Sequence, residues 1–158
     1  MATKLDDDLN RDEPRHPKQV LFLTVDIPPS KNHAFFYKRG AKIMKKPTKV
    51  YMAKTKKEVC EEMKEQKWKK ERDHVWYFAD LYLYFPDKRR RDSHNSIEIL
   101  MDTLQGTLFR DDYYVLPRIQ EVNLDRENPR MEVVFYPINY KEEKKYGKDK
   151  RSKKRKWN

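Results

Sequence analysis

Residues 75–115 read VWYFADLYLYFPDKRRRDSHNSIEILMDTLQGTLFRDDYYV, and this stretch decides the fold. Its first eleven residues are rich in aromatic and aliphatic side chains, which predicts a strand over Val75–Phe85. Val75, Tyr77, Leu81, Leu83 and Phe85 point one way, and Trp76, Phe78, Tyr82 and Tyr84 the other. A strand apolar on both sides belongs at the centre of a sheet covered on both faces, or has one face against a second subunit. Asp80 breaks the pattern and reads as a bonded polar site or the lining of a groove, not as a catalytic group. From Asn95 the period changes. Ile97, Leu100, Met101, Leu104 and Leu108 share one helical stripe, with Asn95, Glu98 and Asp102 opposite. Gly106 is expected to end that helix.

Upstream, VLFLTVDI (Val20 to Ile27) predicts the first strand, stopped by Pro28-Pro29. Residues 30–49 read as a loop or loose hairpin in which Phe35, Phe36 and Tyr37 are interleaved with Lys31, Lys38 and Arg39. Such a pattern can stack on bases while neutralising phosphates, or can be a half-buried loop with solvated lysines. Residues 52–72 lack Gly and Pro and predict a surface helix held through Met52, Val59 and Met63. Downstream, strands are expected around Arg118–Leu124 and Met131–Ile138, and the RENP turn between them suggests an antiparallel hairpin. There are no repeats. The expected fold is a single α+β domain over residues 19–140, with a mixed, largely antiparallel sheet and two main helices. Residues 1–18 and 141–158 are expected to be disordered arms.

The formal net charge is +11, of which residues 141–158 carry +7 and the rest only +4. The tail KDKRSKKRKWN therefore reads as a basic arm giving sequence-independent, salt-sensitive attraction to nucleic acid; a merely solubilising tail is the plain alternative. The single cysteine, Cys60, excludes an internal disulfide and reads as an unremarkable thiol in a reducing compartment. The opening residues MATKLDDDLNRDEPRHP lack the apolar core of a signal peptide, and no apolar run approaches the ~20 residues that span a bilayer. A soluble protein of the cytoplasm is expected, with no membrane partner and no small-molecule cofactor.

Four cations, Lys88, Arg89, Arg90 and Arg91, end on Asp92, and Asp111-Asp112 follows the helix. Phosphodiester hydrolysis needs an activated water and neutralised charge at phosphorus, which carboxylate-held Mg²⁺ and nearby cations supply. Taken singly, each piece has a plainer reading. Asp92 is a natural helix cap, Asn95 with Glu98 a capping box, Asp111-Asp112 a turn, His94 an exposed helix-start residue, and the cations a solvated loop. The helix between the acids is about 20 Å long at ~1.5 Å per residue. The two acidic sites can meet only if the chain doubles back along it.

The order of these pieces resembles the RusA family of Holliday-junction resolvases, which are phage- and prophage-encoded. The likeness runs from PPSKN (Pro28–Asn32) to the strand at Met131–Ile138, and is sharpest in PDKRRRDSHN, MDTLQG and LFRDDYYV. It implies Mg²⁺-dependent homodimers, with Mn²⁺ a substitute, that nick two opposed strands of a four-way junction. Asp92 matches the first catalytic aspartate, Asn95 the asparagine that follows, Asp102 the helix acid and Asp112 the last catalytic aspartate. Two positions depart: His94 stands where the family has its middle aspartate, and Glu98 where the founding member has lysine. The resemblance thus implies metal held by Asp92 and Asp112, with Glu98 restoring the lost carboxylate and Asp111 and His94 as further candidate ligands. It assigns the scissile-strand phosphates to Lys88–Arg91. The alternatives are a RusA-fold protein that binds branched DNA without cutting it, and a non-enzymatic basic nucleic-acid-binding protein.

Overall fold

The computed structural model describes residues 13–139. The basic tail and most of the N-terminal arm expected from the sequence lie outside the described residues. Of that arm, residues 13–18 lie along the body, held by Glu71. This buried carboxylate accepts the backbone N–H groups of Arg15 and His16 at 2.7 and 2.6 Å. Gln19 adds a second tie through reciprocal bonds with the backbone of Lys69.

Strand β1 (Leu21–Val25) leads to a one-turn helix α1 (Lys31–Ala34) and a hairpin of β2 (Phe35–Lys38) and β3 (Ala41–Met44). Its tip, Arg39-Gly40, has φ of 49° and 78°, the left-handed pair that matches hairpin twist. Helix α2 (Lys46–Glu65) begins and ends earlier than its composition suggests. It starts before Pro47, which lies in the first turn, where a missing N–H costs nothing. It stops because Lys67 turns left-handed (φ 55°), so that Trp68 N–H reaches Met63 O and Lys67 N–H reaches Lys64 O. That double bond pattern closes a helix even without glycine.

The main sheet runs β1-β6-β4-β5, with β4 (Trp76–Phe85), β5 (Val115–Leu124) and β6 (Arg130–Ile138). Helix α3 (Ser93–Leu104) crosses over from β4 to β5, so these two strands are parallel. This corrects the hairpin expected between the last two strands. β5 occupies one side of β4, and the chain then passes the end of β4 and lays β6 antiparallel on its other side. Asp125 fixes the crossing. Its N–H donates to Phe85 O, and its carboxylate accepts Glu127 N–H, Asn128 N–H and Arg130. Two of the three pairings are antiparallel, so the sheet is mixed and largely antiparallel as expected.

One face of β4, formed by Tyr77, Ala79, Leu81, Leu83 and Phe85, is buried against α2 and α3. Phe135 is its centre, ringed by Tyr77 (4.6 Å), Trp68 (5.7 Å) and Phe109 (6.0 Å). The expected helix stripe Ile97, Leu100, Met101, Leu104 and Leu108 is buried there. Among the described residues no helix covers the opposite face: Trp76, Phe78, Tyr82 and Tyr84 alternate half-buried along it. Asp80 is a bonded polar site on that face. It accepts two bonds from Arg118 (2.7 and 3.0 Å), one from Tyr136 and one from Gln120. The Arg118 guanidinium lies 3.6 Å from the Phe78 ring. At the sheet's outer edge, the Gln66 side chain bonds both the N–H and the C=O of Phe22 in β1.

Candidate functional site

The two acidic positions singled out in the sequence have different surroundings. Asp92 is the N-cap of α3: Oδ1 accepts His94 N–H at 3.1 Å and Oδ2 accepts the Asn95 amide at 2.9 Å. The helix therefore starts at Ser93, and the box partner of Asn95 is Asp92, not Glu98 as its spacing suggested. The His94 ring is exposed, with Nδ1 3.9 Å from Asp92. The preceding cations are sorted by Asp87. It pairs with Arg91 at 2.7 Å and accepts Arg89 N–H at 3.0 Å, and these two bonds hold its carboxyl down to about 2. Arg91 also lies over the Phe85 ring at 4.9 Å, so it braces the loop. Lys88, Arg89 and Arg90 are exposed.

Asp111 is likewise a cap. Its Oδ1 accepts Tyr113 N–H at 2.9 Å and starts a short 3-10 turn over Asp112–Tyr114. Asp112 instead lines a cavity of about 310 Å³ with Glu98 and Asp102 of α3, Lys31 of α1, and the apolar Ile97, Met101, Val115 and Pro117. Glu98 and Asp102 lie one turn apart on the exposed stripe, which brings them to one wall. Lys31 Nζ meets Glu98 Oε2 at 2.5 Å, and this bond raises the lysine's pKa. Partial burial raises the Asp102 carboxyl, and the charges of Asp112 and Glu98 push it further up against the opposing pull of Lys31 and Lys42.

The chain does return beside the helix, as the sequence demanded, but with a consequence the spacing could not show. β5 begins near the C-terminal half of α3, so Asp112 meets Glu98 and Asp102, whereas Asp92 caps the other end. Ten residues of helix separate Asp92 from Asp102, about 15 Å. Among the described residues, no three acidic or histidine side chains stand close enough together to enclose a metal ion. The donor set at the cavity nevertheless fits a hard divalent cation in kind. It offers carboxylate oxygens only, and three acids against one lysine leave two negative charges uncompensated.

Lys38 and Arg39 are exposed at the hairpin tip, beside Tyr37, which is 74% exposed. Sequence reasoning passed over two features of the site: the reach of Lys31 to Glu98, and the ring cluster around Tyr113. Lys31 precedes the hairpin by only a few residues, and nothing local marks a pairing with a glutamate 67 positions away.

Residues 26–136, about seven-tenths of the chain, match the family model Endodeoxyribonuclease RusA. No curated protein matches the chain. The chain belongs to the RusA family: it is an endodeoxyribonuclease, structure-specific for Holliday junctions and branched DNA. Nucleases of this kind generally depend on a divalent metal. No helix among the described residues is long and apolar enough to cross a membrane.

Proposed function

We propose, proceeding from membership of the RusA endodeoxyribonuclease family, that this protein is a Mg²⁺-dependent homodimer that resolves four-way junctions by paired nicks. Phage or prophage recombination, replication or repair is the setting that the family resemblance implies. The observation that carries the reading is the cavity that Asp112, Glu98 and Asp102 line beside Lys31. Asp112 and Glu98, with Asp102 beside them, would hold the metal; Asp92, Asp111 and His94 support the elements that present it. When bound, Mg²⁺ supplies a Lewis acid at the phosphoryl oxygen and an acidified water.

This chain's own residues do the remaining work. The Lys31 ammonium, paired with Glu98, is placed to take a phosphate oxygen in exchange. The exposed Lys88, Arg89 and Arg90 and the hairpin tip bind flanking phosphates, supplying affinity that falls with salt. Val115 and Pro117 give the cavity an apolar wall that limits water.

Two symmetric nicks need two sites related by a two-fold axis, which an isologous dimer supplies. The open sheet face is suited to that contact. Its aromatic rings are half-exposed, and four of its charged side chains are paired with one another, Asp80 with Arg118 and Arg130 with Glu132. One observation favours a second reading, binding without cutting: Glu98 is tied to Lys31, and the acids do not converge into a ligand group among the described residues.

The test is cleavage of a labelled four-way junction and its matching linear duplex, in Mg²⁺ and in EDTA, by wild type and Asp112→Asn. Paired cuts on the junction alone, lost in EDTA and in the variant, support the resolvase. Tight junction binding with no cutting in Mg²⁺ or Mn²⁺ establishes the second reading instead.

A further inference from the structure

Directly after Asp112 stand Tyr113 and Tyr114, which with His74 and Trp76 form a cluster of four rings that neither the core nor the proposed chemistry uses. Tyr113 is 67% exposed, a large aromatic left facing solvent beside the acidic cavity. Yet it is held in place. Its backbone is pinned by the Asp111 side chain, and its ring packs on Trp76 (5.4 Å) and edge-on to Tyr114 (5.1 Å, 89°). Tyr114 is fixed in turn by Trp76 (5.4 Å, 76°) and by a hydrogen bond between its hydroxyl and His74 Nδ1 at 2.9 Å. Trp76 is the first residue of the central strand, so the cluster is anchored to the rigid sheet.

A rigid, preorganised ring with an open face is suited to stacking, because little freedom remains to be lost on contact. Sequence-tolerant recognition of unpaired bases uses such rings. In branched DNA the bases at the branch point can leave the helical stack most cheaply, since they have already lost regular neighbours. A ring one residue from a cavity acid would meet such a base next to the phosphate held at that cavity. We propose that Tyr113, buttressed by Trp76 and Tyr114, is a stacking platform for an unstacked branch-point base, and so a residue that selects branched over linear DNA. This rests on the reading of the Asp112 cavity as the cleavage site. A second copy of the chain is the competing occupant, because Trp76 also borders the open sheet face.

The experiment uses the full chain and a four-way junction carrying 2-aminopurine at the branch point, in EDTA so that no strand is cut. Wild type, Tyr113→Phe and Tyr113→Ala are compared for probe emission, affinity for junction and for duplex, and sedimentation. Wild type and Tyr113→Phe should alter the probe's emission on binding. Tyr113→Ala should leave it nearly unchanged and bind the junction about tenfold more weakly, with duplex affinity and thermal midpoint unaltered. An unchanged probe response and junction affinity in Tyr113→Ala would overturn the platform. So would a loss confined to the sedimentation coefficient, which would make the ring a subunit contact. A wild type that shows no preference for the junction would overturn the junction-resolving reading as well, and so separates the two failures.

Discussion

The two ends of α3 carry similar residues in opposite electrostatic circumstances. At the N-terminal end Asp92 has a donor for each oxygen, and Asp87 nearby has an arginine and a backbone N–H. Towards the C-terminal end Glu98, Asp102 and Asp112 share one cavity with a single lysine, and partial burial, helped by the charges of Asp112 and Glu98, pushes the Asp102 carboxyl up. A carboxylate whose lone pairs are occupied shapes the chain. One left with its charge uncompensated is available to a cation. The difference teaches that the same acidic letters, one helix apart, meet different surroundings: donors occupy one set, and the other lines a shared cavity.

The largest expected effect tests that division directly. Asp112→Asn should lower junction cleavage by about 1,000-fold or more, the scale at which removing a metal-holding group acts. Asp92→Ser, which keeps a capping oxygen, should stay within about tenfold of wild type, and Asp92→Ala should lose about 1 kcal/mol of stability in denaturant titrations. If Asp92→Ser were as inactive as Asp112→Asn, both ends would be catalytic and the contrast would collapse. Next in size is Glu98→Gln, for which a loss of about 10- to 100-fold in cleavage with an unchanged thermal midpoint is expected. Full cutting by this variant would remove Glu98 from the metal site and leave Lys31 paired with it for structural reasons only.

The smallest effect lies in the pH dependence of stability, which should have opposite signs at the two ends. Asp87 is depressed in the folded chain, so its contribution is present above the unfolded value near ~4 and fades as pH falls towards 2. Asp102 is raised, so the folded state disfavours its ionised form and loses stability as pH climbs through the shifted value. Asp87→Asn should therefore flatten the acid limb of a stability–pH curve, whereas Asp102→Asn should make the protein slightly more stable at neutral pH. Curves that shift in the same direction would show that the two environments do not differ as argued.

Much of this was legible in the chain because it rests on local patterning. The apolar run at Trp76–Phe85 and the stripe of Ile97, Leu100, Met101 and Leu104 follow from periods of two and 3.6 residues, and both emerged where expected. What was not legible depends on long-range pairing. Nothing in RENP says whether its flanking strands meet each other or straddle a third, and here β4 stands between them. Likewise, Lys67 carries no signal for a helix stop, and only its left-handed backbone and the bonds around it reveal one. The candidate site divides the same way. Asp92 and Asp112 could be named as candidates from the order of motifs, and Glu98 from its departure from them, but that Glu98 and Asp102 share Asp112's cavity while Asp92 caps the far end follows from the crossover connection.

The Gln66 amide set against Phe22 bears on how this protein behaves when crowded. A primary amide carries the same donor and acceptor as a peptide group, so Gln66 acts as a one-residue substitute for a neighbouring strand. Phe22, 60% exposed and on the outermost strand, would otherwise offer an apolar, unsatisfied rung to any extended segment that drifted past. With that rung occupied from within, one of the edge positions at which a foreign strand could add to β1 is already filled. A protein that binds DNA gains from such a cap, because neighbouring copies on one polyanion find one rung fewer to pair with.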